Sequence, residues 1–201
     1  MYVPSAFAEE SLAAQHAVIR AHAFGLITSP SDGRLTATHL PFLLDAARGP
    51  YGTLLAHMAR ANPHWKAFDG TVEALVVFSG PHAYVSPTWY ATAPAVPTWN
   101  YVAVHAYGTP IVVDDVTQSR THLGQLAATY EADRDRPWRI DEQPKDFIDK
   151  LVPGVVAFEI PISRIEGKFK LSQNRSEADR RGVVAGLRTA GEAALADFMD
   201  R

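Results

Sequence analysis

Residues 24–58 read FGLITSPSDGRLTATHLPFLLDAARGPYGTLLAHM, and this stretch decides the fold class. Apolar and β-branched runs at Phe24–Thr28, Leu35–Leu44 and Tyr51–Met58 predict three strands. The turn Pro30-Ser31-Asp32-Gly33 separates the first two, with the glycine free to take positive φ. Arg48-Gly49-Pro50 separates the second from the third. Two more strands are expected at Glu73–Ser79 and His82–Ser86, divided by Gly80-Pro81. Asn100–Val113 forms a long β run with Tyr101, Ala103, His105 and Tyr107 on one face and Val102, Val104 and Ala106 on the other. Val155–Ile160 and Arg164–Leu171 complete the set.

Helices flank these strands. One is expected from about Phe7 to His22, stopped by Gly25. Another follows the cap Asp114-Asp115, with Leu123, Leu126, Ala127 and Tyr130 at i, i+3, i+4, i+7 spacing. Ala132–Pro144 reads as a charged loop, and Pro144–Leu151 as a short helix. Asn174 with Glu177, and Thr189 with Glu192, have the spacing of two C-terminal helix starts. Many short strands with Gly/Pro turns and few helices predict an α+β protein, a small antiparallel β-barrel with peripheral helices. The order is not βαβ, which argues against a Rossmann sheet. Residues 1–201 are expected to form a single domain with a C-terminal helical extension.

Composition narrows the function. With 201 residues and 47% hydrophobic content the chain can bury one sizeable core. A formal net charge of −3 gives no electrostatic drive toward bulk nucleic acid or anionic membrane. The absence of cysteine excludes disulfides, thiolate metal sites and cysteine nucleophiles. The opening MYVPSAFAEES lacks a basic start and an apolar run, and no stretch approaches a membrane span, so a cytoplasmic location is expected. No phosphate-loop, dinucleotide, zinc-protease or serine-hydrolase motif is present. The histidines have no metal-ligand spacing, and no metal site is expected. Asp133 and Asp135 sit in a solvated charge run, and the spacing of Gly182 and Gly186 reads as a packing coincidence.

Polar and aromatic residues concentrate in four segments. Thr36-Ala37-Thr38-His39-Leu40-Pro41 is a strand whose proline breaks the ladder on one side; it reads as an edge strand or a ligand-binding one. In His57-Met58-Ala59-Arg60-Ala61-Asn62-Pro63-His64-Trp65 a strand runs into an Asn cap with proline in the first helical position. That is an ordinary cap, or an N-terminus that holds phosphate with Arg60, His57 and His64 nearby. Trp89 reads as core or interface, whereas Trp99-Asn100 sets a planar ring beside an amide, which suits a planar heteroaromatic ligand. Lys168 and Lys170 share one strand face, either as a solvated edge or as a site for an anion.

As a set and in this order, MYVPSAFAEE, ATHLPF, HMARANPHW, GPHAYVSPTWY, VPTWNY and KFKLSQNR resemble the PaiB family of FMN-binding negative transcriptional regulators. The resemblance covers nearly the whole chain. It implies a split β-barrel of the pyridoxamine-phosphate-oxidase type with Greek-key-like strands, a homodimer, and FMN at the subunit interface. It also implies a regulatory role, first associated with protease synthesis and sporulation. Matching positions would place Arg60, Asn62 and His57 at the FMN phosphate, and Thr36, Thr38, His39 and Leu40 at the ring edge. Trp99, Asn100, Lys170 and Gln173, from the second copy, would close the site. Three functions stay open: a flavin-dependent regulator or redox sensor, a flavin-dependent oxidoreductase on a small molecule, and a haem-handling protein. Direct DNA reading is doubtful, because the chain is net acidic and has no helix-turn-helix signature.

Overall fold

The computed structural model describes residues 1–200. In chain order the elements are β1 (Ala8–Glu9), α1 (Leu12–Ala21), β2 (Phe24–Ser31), β3 (Arg34–Pro41), β4 (Leu43–Asp45), β5 (Thr53–Ala59), β6 (Ala74–Val85), β7 (Thr98–Gly108), β8 (Ile111–Val112), α2 (Val116–Glu131), α3 (Lys145–Leu151), β9 (Val155–Lys170), α4 (Glu177–Thr189) and α5 (Ala193–Met199). Strands are hydrogen-bonded in the order β3-β2-β6-β7-β9-β5-β4, with β1 and β8 both pairing with β9. This is an α+β split barrel.

Two compact units divide the chain: Met1–His22, Phe78–His105 and Glu166–Arg201 form the first, and Ala23–Val77 with Ala106–Ile165 the second. In the second unit β2 and β3 are antiparallel over their full length, from Phe24↔Pro41 to Ser31↔Arg34. The hairpin turns through Asp32 (φ 50°) and Gly33 (φ 72°), where the sequence placed its left-handed residue. β5 pairs with β9 from Thr53↔Pro161 to Ala59↔Val155. Ile27, Phe42, Leu54, Phe158 and Ile160 are buried between these strands, and the Phe68 and Phe158 rings pack 4.9 Å apart. In the first unit Val18, Ile19, Val85, Val102, Val104, Leu187 and Leu195 form the core.

Several element boundaries differ from the sequence expectation, each for a physical reason. Gly25 does not stop α1: the helix ends at Ala21, the His22 N–H bonds to the Val18 carbonyl, and Gly25 pairs with Leu40 inside β2. Its start is Ser11, whose side chain accepts from the Ala14 N–H, because Ala8–Glu9 is drawn off to pair with β9. Gly80-Pro81 does not split β6. Burial falls on even residues up to Gly80 and on Ala83 and Val85 beyond it, so the strand slips phase and continues. A Cβ at Gly80 would lie 3.0 Å from the Val102 Cβ. The segment 161–163 likewise lies within one strand, with Ser163 Oγ donating to the Tyr107 carbonyl at 3.1 Å. Asp115 caps α2 as expected, accepting from the Gln118 N–H. For α4 the cap is Ser176, not Asn174. Thr189 caps nothing, since its hydroxyl donates to the Ala185 carbonyl within α4.

The Gly182/Gly186 spacing is also more than coincidence. A Cβ at Gly182 would sit 2.0 Å from the Trp89 carbonyl oxygen, and one at Gly186 would sit 2.2 Å from the Trp89 ring. The two glycines form the seat for Trp89 on α4. Above it, Asp179 accepts from both the Thr92 N–H and its hydroxyl, at 2.9 and 2.7 Å. These contacts fix the proline-rich loop before β7.

Candidate flavin site

In the second unit the site segments converge on one buried imidazole. Asn62 caps a 3-10 turn over Pro63–Ala67, accepting from the His64 N–H at 3.0 Å, with Pro63 first in the turn. Its amide Nδ2 donates to Thr38 Oγ1 at 3.3 Å. The His64 ring is fully buried, 2.9 Å from Ser29 Oγ through Nε2 and 2.9 Å from Thr38 Oγ1 through Nδ1. Burial holds this imidazole below its ordinary range, so it is neutral. Both contacts are satisfied if Thr38 donates to Nδ1 and Nε2–H donates to Ser29. His64 thus ties β2, β3 and the 3-10 turn together. The sequence counted it only as a neighbour of the phosphate group, because its two hydroxyl partners lie 35 and 26 residues away.

Around this frame the expected ligands separate by role. Thr36 and Thr38 are half-buried on the same face of β3 as buried Leu40, while His39 is exposed on the other and stacks on Phe24 at 5.9 Å. Asn62 is engaged as an ordinary cap. Arg60 is exposed and anchored, donating from Nε to the Pro153 carbonyl at 2.6 Å and from Nη2 to the Val155 carbonyl at 3.0 Å. Its guanidinium also lies 5.7 Å from the Trp65 ring centroid. His57 stands apart, its ring lining an apolar cavity with Leu123, Tyr130 and Phe147.

In the first unit the picture is different. Trp99 is exposed beside two other rings, with centroids 6.5 Å from His82 and 6.1 Å from Tyr84. On the neighbouring strand, Lys170 Nζ donates to Thr98 Oγ1 and to the Trp99 carbonyl. Lys168 donates to the Tyr2 carbonyl at 2.9 Å, 5.3 Å from the Tyr101 ring centroid. Neither lysine forms an ion pair among the described residues. Burial first, and then the Lys168 charge, pulls the Lys170 ammonium below its ordinary value. Two adjacent cations are therefore held by neutral oxygens and aromatic faces alone. Asn100 is buried, donating to Ser172 Oγ at 2.9 Å, and Gln173 folds back on its own strand, accepting from the Leu171 N–H and donating to the Phe169 carbonyl. Those two amides shape the end of β9 rather than its surface.

Aromatic surface backed by unneutralised cations suits a planar anionic cofactor, and among the described residues no group of three or more His, Asp and Glu side chains could hold a metal. The chain has the fold of the split barrels. It is similar to the FAD- and haem-binding protein of Mycobacterium smegmatis, with a TM-score of 0.61 and 17% identity over 89% of this chain and 80% of that one. A flavocytochrome of Azotobacter vinelandii matches with a TM-score of 0.62 and 15% identity, covering 87% of this chain and 75% of that one.

The sequence fixes the family within that class. Residues 1–164 match the family described as "Putative FMN-binding domain". Protease synthase and sporulation protein PAI 2 of Bacillus subtilis is 34% identical over 93% of this chain and 89% of its own length. A protein of Emericella nidulans is 31% identical over 95% of this chain and 92% of its own. The chain belongs to the PaiB family of FMN-binding domains, and FMN is the cofactor of that family.

Proposed function

We propose that this protein binds FMN as a homodimer and serves as a flavin-dependent regulator that responds to the redox state of the bound flavin. The observation that carries this reading is the Lys168/Lys170 pair, two cations with no carboxylate partner among the described residues, Lys168 over the Tyr101 ring and Lys170 bonded to the carbonyl of the exposed Trp99. FMN carries a dianionic phosphate and a planar ring, and when bound it supplies one- and two-electron redox chemistry. Lys168 and Lys170 would hold negative charge, Trp99 would cover the ring, and Thr36, Thr38 and Arg60 would meet the cofactor from the second unit of the other copy. The His64 frame keeps Thr38 in one position, which lowers the cost of ordering a ligand.

A second copy is supported by the outer face of the β2–β3 hairpin. Phe24 and Leu35 are 67% and 79% exposed, and the pairing sets Leu26, Ala37 and Pro41 on the same face. Large apolar side chains on one sheet face favour association. The C-terminal arginines argue against direct DNA reading. Arg181 pairs with Glu177, Arg188 with Asp197 and Asp200, Arg180 donates to the Met199 carbonyl, and Arg175 lies over Tyr90. Such groups leave little basic surface to displace counterions from phosphates.

One experiment tests the cofactor reading: the purified chain is titrated with FMN by calorimetry and its absorbance recorded. Stoichiometric binding with flavin bands is expected, lost in the Lys168→Ala/Lys170→Ala double variant. A Soret band without flavin bands, or FMN affinity unaltered in the double variant, overturns it. Sedimentation showing one 22.0 kDa chain at micromolar concentration overturns the dimer.

A further inference from the structure

The helix α2 has an apolar stripe that should pack like a core, yet Leu123, Leu126 and Ala127 are only half-buried. The space they face is a cavity of about 580 Å³ within the second unit. Its walls come from α2, from α3 through Phe147, Ile148 and Leu151, from Trp138, and from Val155 at the start of β9. Tyr130, Trp138, Phe147 and Leu151 are each between 41% and 53% exposed, so large apolar side chains gather at one mouth. Unfilled apolar volume of this size forfeits packing energy, which a ligand of matching shape recovers.

Charge and hydrogen bonding define what fits. Among the described residues no lysine or arginine lines the cavity, and its one carboxylate, Glu131, already accepts from the Trp138 N–H at 3.0 Å. An anion such as the FMN phosphate is disfavoured there. His57 is the exception among the apolar walls: its imidazole has no hydrogen-bond partner among the described residues and is half-buried, and burial lowers its proton affinity. A neutral imidazole both donates and accepts one hydrogen bond.

We propose that this cavity is a second ligand site, separate from that of the flavin, for a small uncharged aromatic compound with one hydrogen-bonding group directed at His57. Aromatic and aliphatic walls with a single imidazole among them suit a compact molecule of two or three fused rings that carries one polar group. α2 and α3 would close on such a ligand through Tyr130 and Phe147. The site stands on the cavity alone and is independent of the flavin reading.

The probes are 2-naphthol and naphthalene, titrated by calorimetry into the purified full chain, first alone and then with FMN added. One 2-naphthol site per chain is expected, with naphthalene about fivefold weaker for want of the hydroxyl. His57→Leu should abolish that difference. Ala127→Phe, which fills the cavity, should weaken both probes at least tenfold and leave FMN affinity unchanged. The Leu123→Phe variant provides the same reading if Ala127→Phe does not fold. No saturable 2-naphthol binding, displacement of 2-naphthol by added FMN, an undiminished preference for 2-naphthol in His57→Leu, or undiminished binding in a folded filled variant would each overturn the proposal.

Discussion

Two charged clusters in this molecule are built on opposite terms. In the second unit Glu159 is buried and fully neutralised. Arg48 meets both of its oxygens, at 3.1 and 2.5 Å, while His122 and Gln118 each reach Oε1 at 3.1 Å. These contacts, led by the Arg48 hydrogen bond, hold the carboxyl below its ordinary range. In the first unit Lys168 and Lys170 lie side by side with only neutral acceptors among the described residues. A cluster that closes its own charge account is structural: it joins α2 to β9 and asks nothing of solvent. A cluster that leaves like charges together carries a repulsion that an incoming anion relieves.

The sharpest test of the contrast is Glu159→Leu. Removing the acceptor leaves Arg48, His122 and Gln118 without their partner, and a loss of about 3 kcal/mol in urea unfolding is expected. Because the folded carboxyl is depressed, its contribution is present above the ordinary carboxylate range and is lost as pH falls through the depressed value. A variant within about 0.5 kcal/mol of wild type would remove the structural half of the comparison.

Lys170→Ala tests the other half. FMN binding should weaken by about 1.5 to 3 kcal/mol, with stability unchanged or slightly raised, since a repelled ammonium is removed. The Lys170 ammonium is already held low, so FMN affinity should fall as pH rises through its lowered value, while stability without FMN rises over the same range. Calorimetry across pH measures the first and denaturant titration the second. A stability loss without a change in affinity would make Lys170 a structural group like Glu159.

Smaller effects mark residues outside both clusters. Gly186→Ala forces a Cβ into the Trp89 ring, and about 1 to 2 kcal/mol of destabilisation is expected by thermal unfolding. A neutral result would mean that Trp89 swings off α4 without cost. Asn62→Ala removes a cap and the bond to Thr38, and should cost about 1 kcal/mol with a modest fall in FMN affinity. Unchanged values for both would separate the His64 frame from ligand binding.

The sequence by itself determined what depends on neighbouring residues. The Asp32-Gly33 hairpin, the alternation of Tyr101 to Tyr107, the Asn62-Pro63 cap and the Asp115 cap follow from φ preferences, strand period and capping chemistry acting over a few residues. Family motifs added the split barrel and FMN. Tertiary structure alone decided which strands continue through Gly80-Pro81 and Pro161, because cross-strand pairing outweighs a local break. It also decided the partners of polar side chains: His64 with Ser29 and Thr38, Glu159 with Arg48 across 111 residues, Asn100 with Ser172 across 72. Gly182 and Gly186 gained meaning only when Trp89 was brought onto them. Such contacts join segments far apart in the chain, and local propensity carries no information about which distant group will arrive.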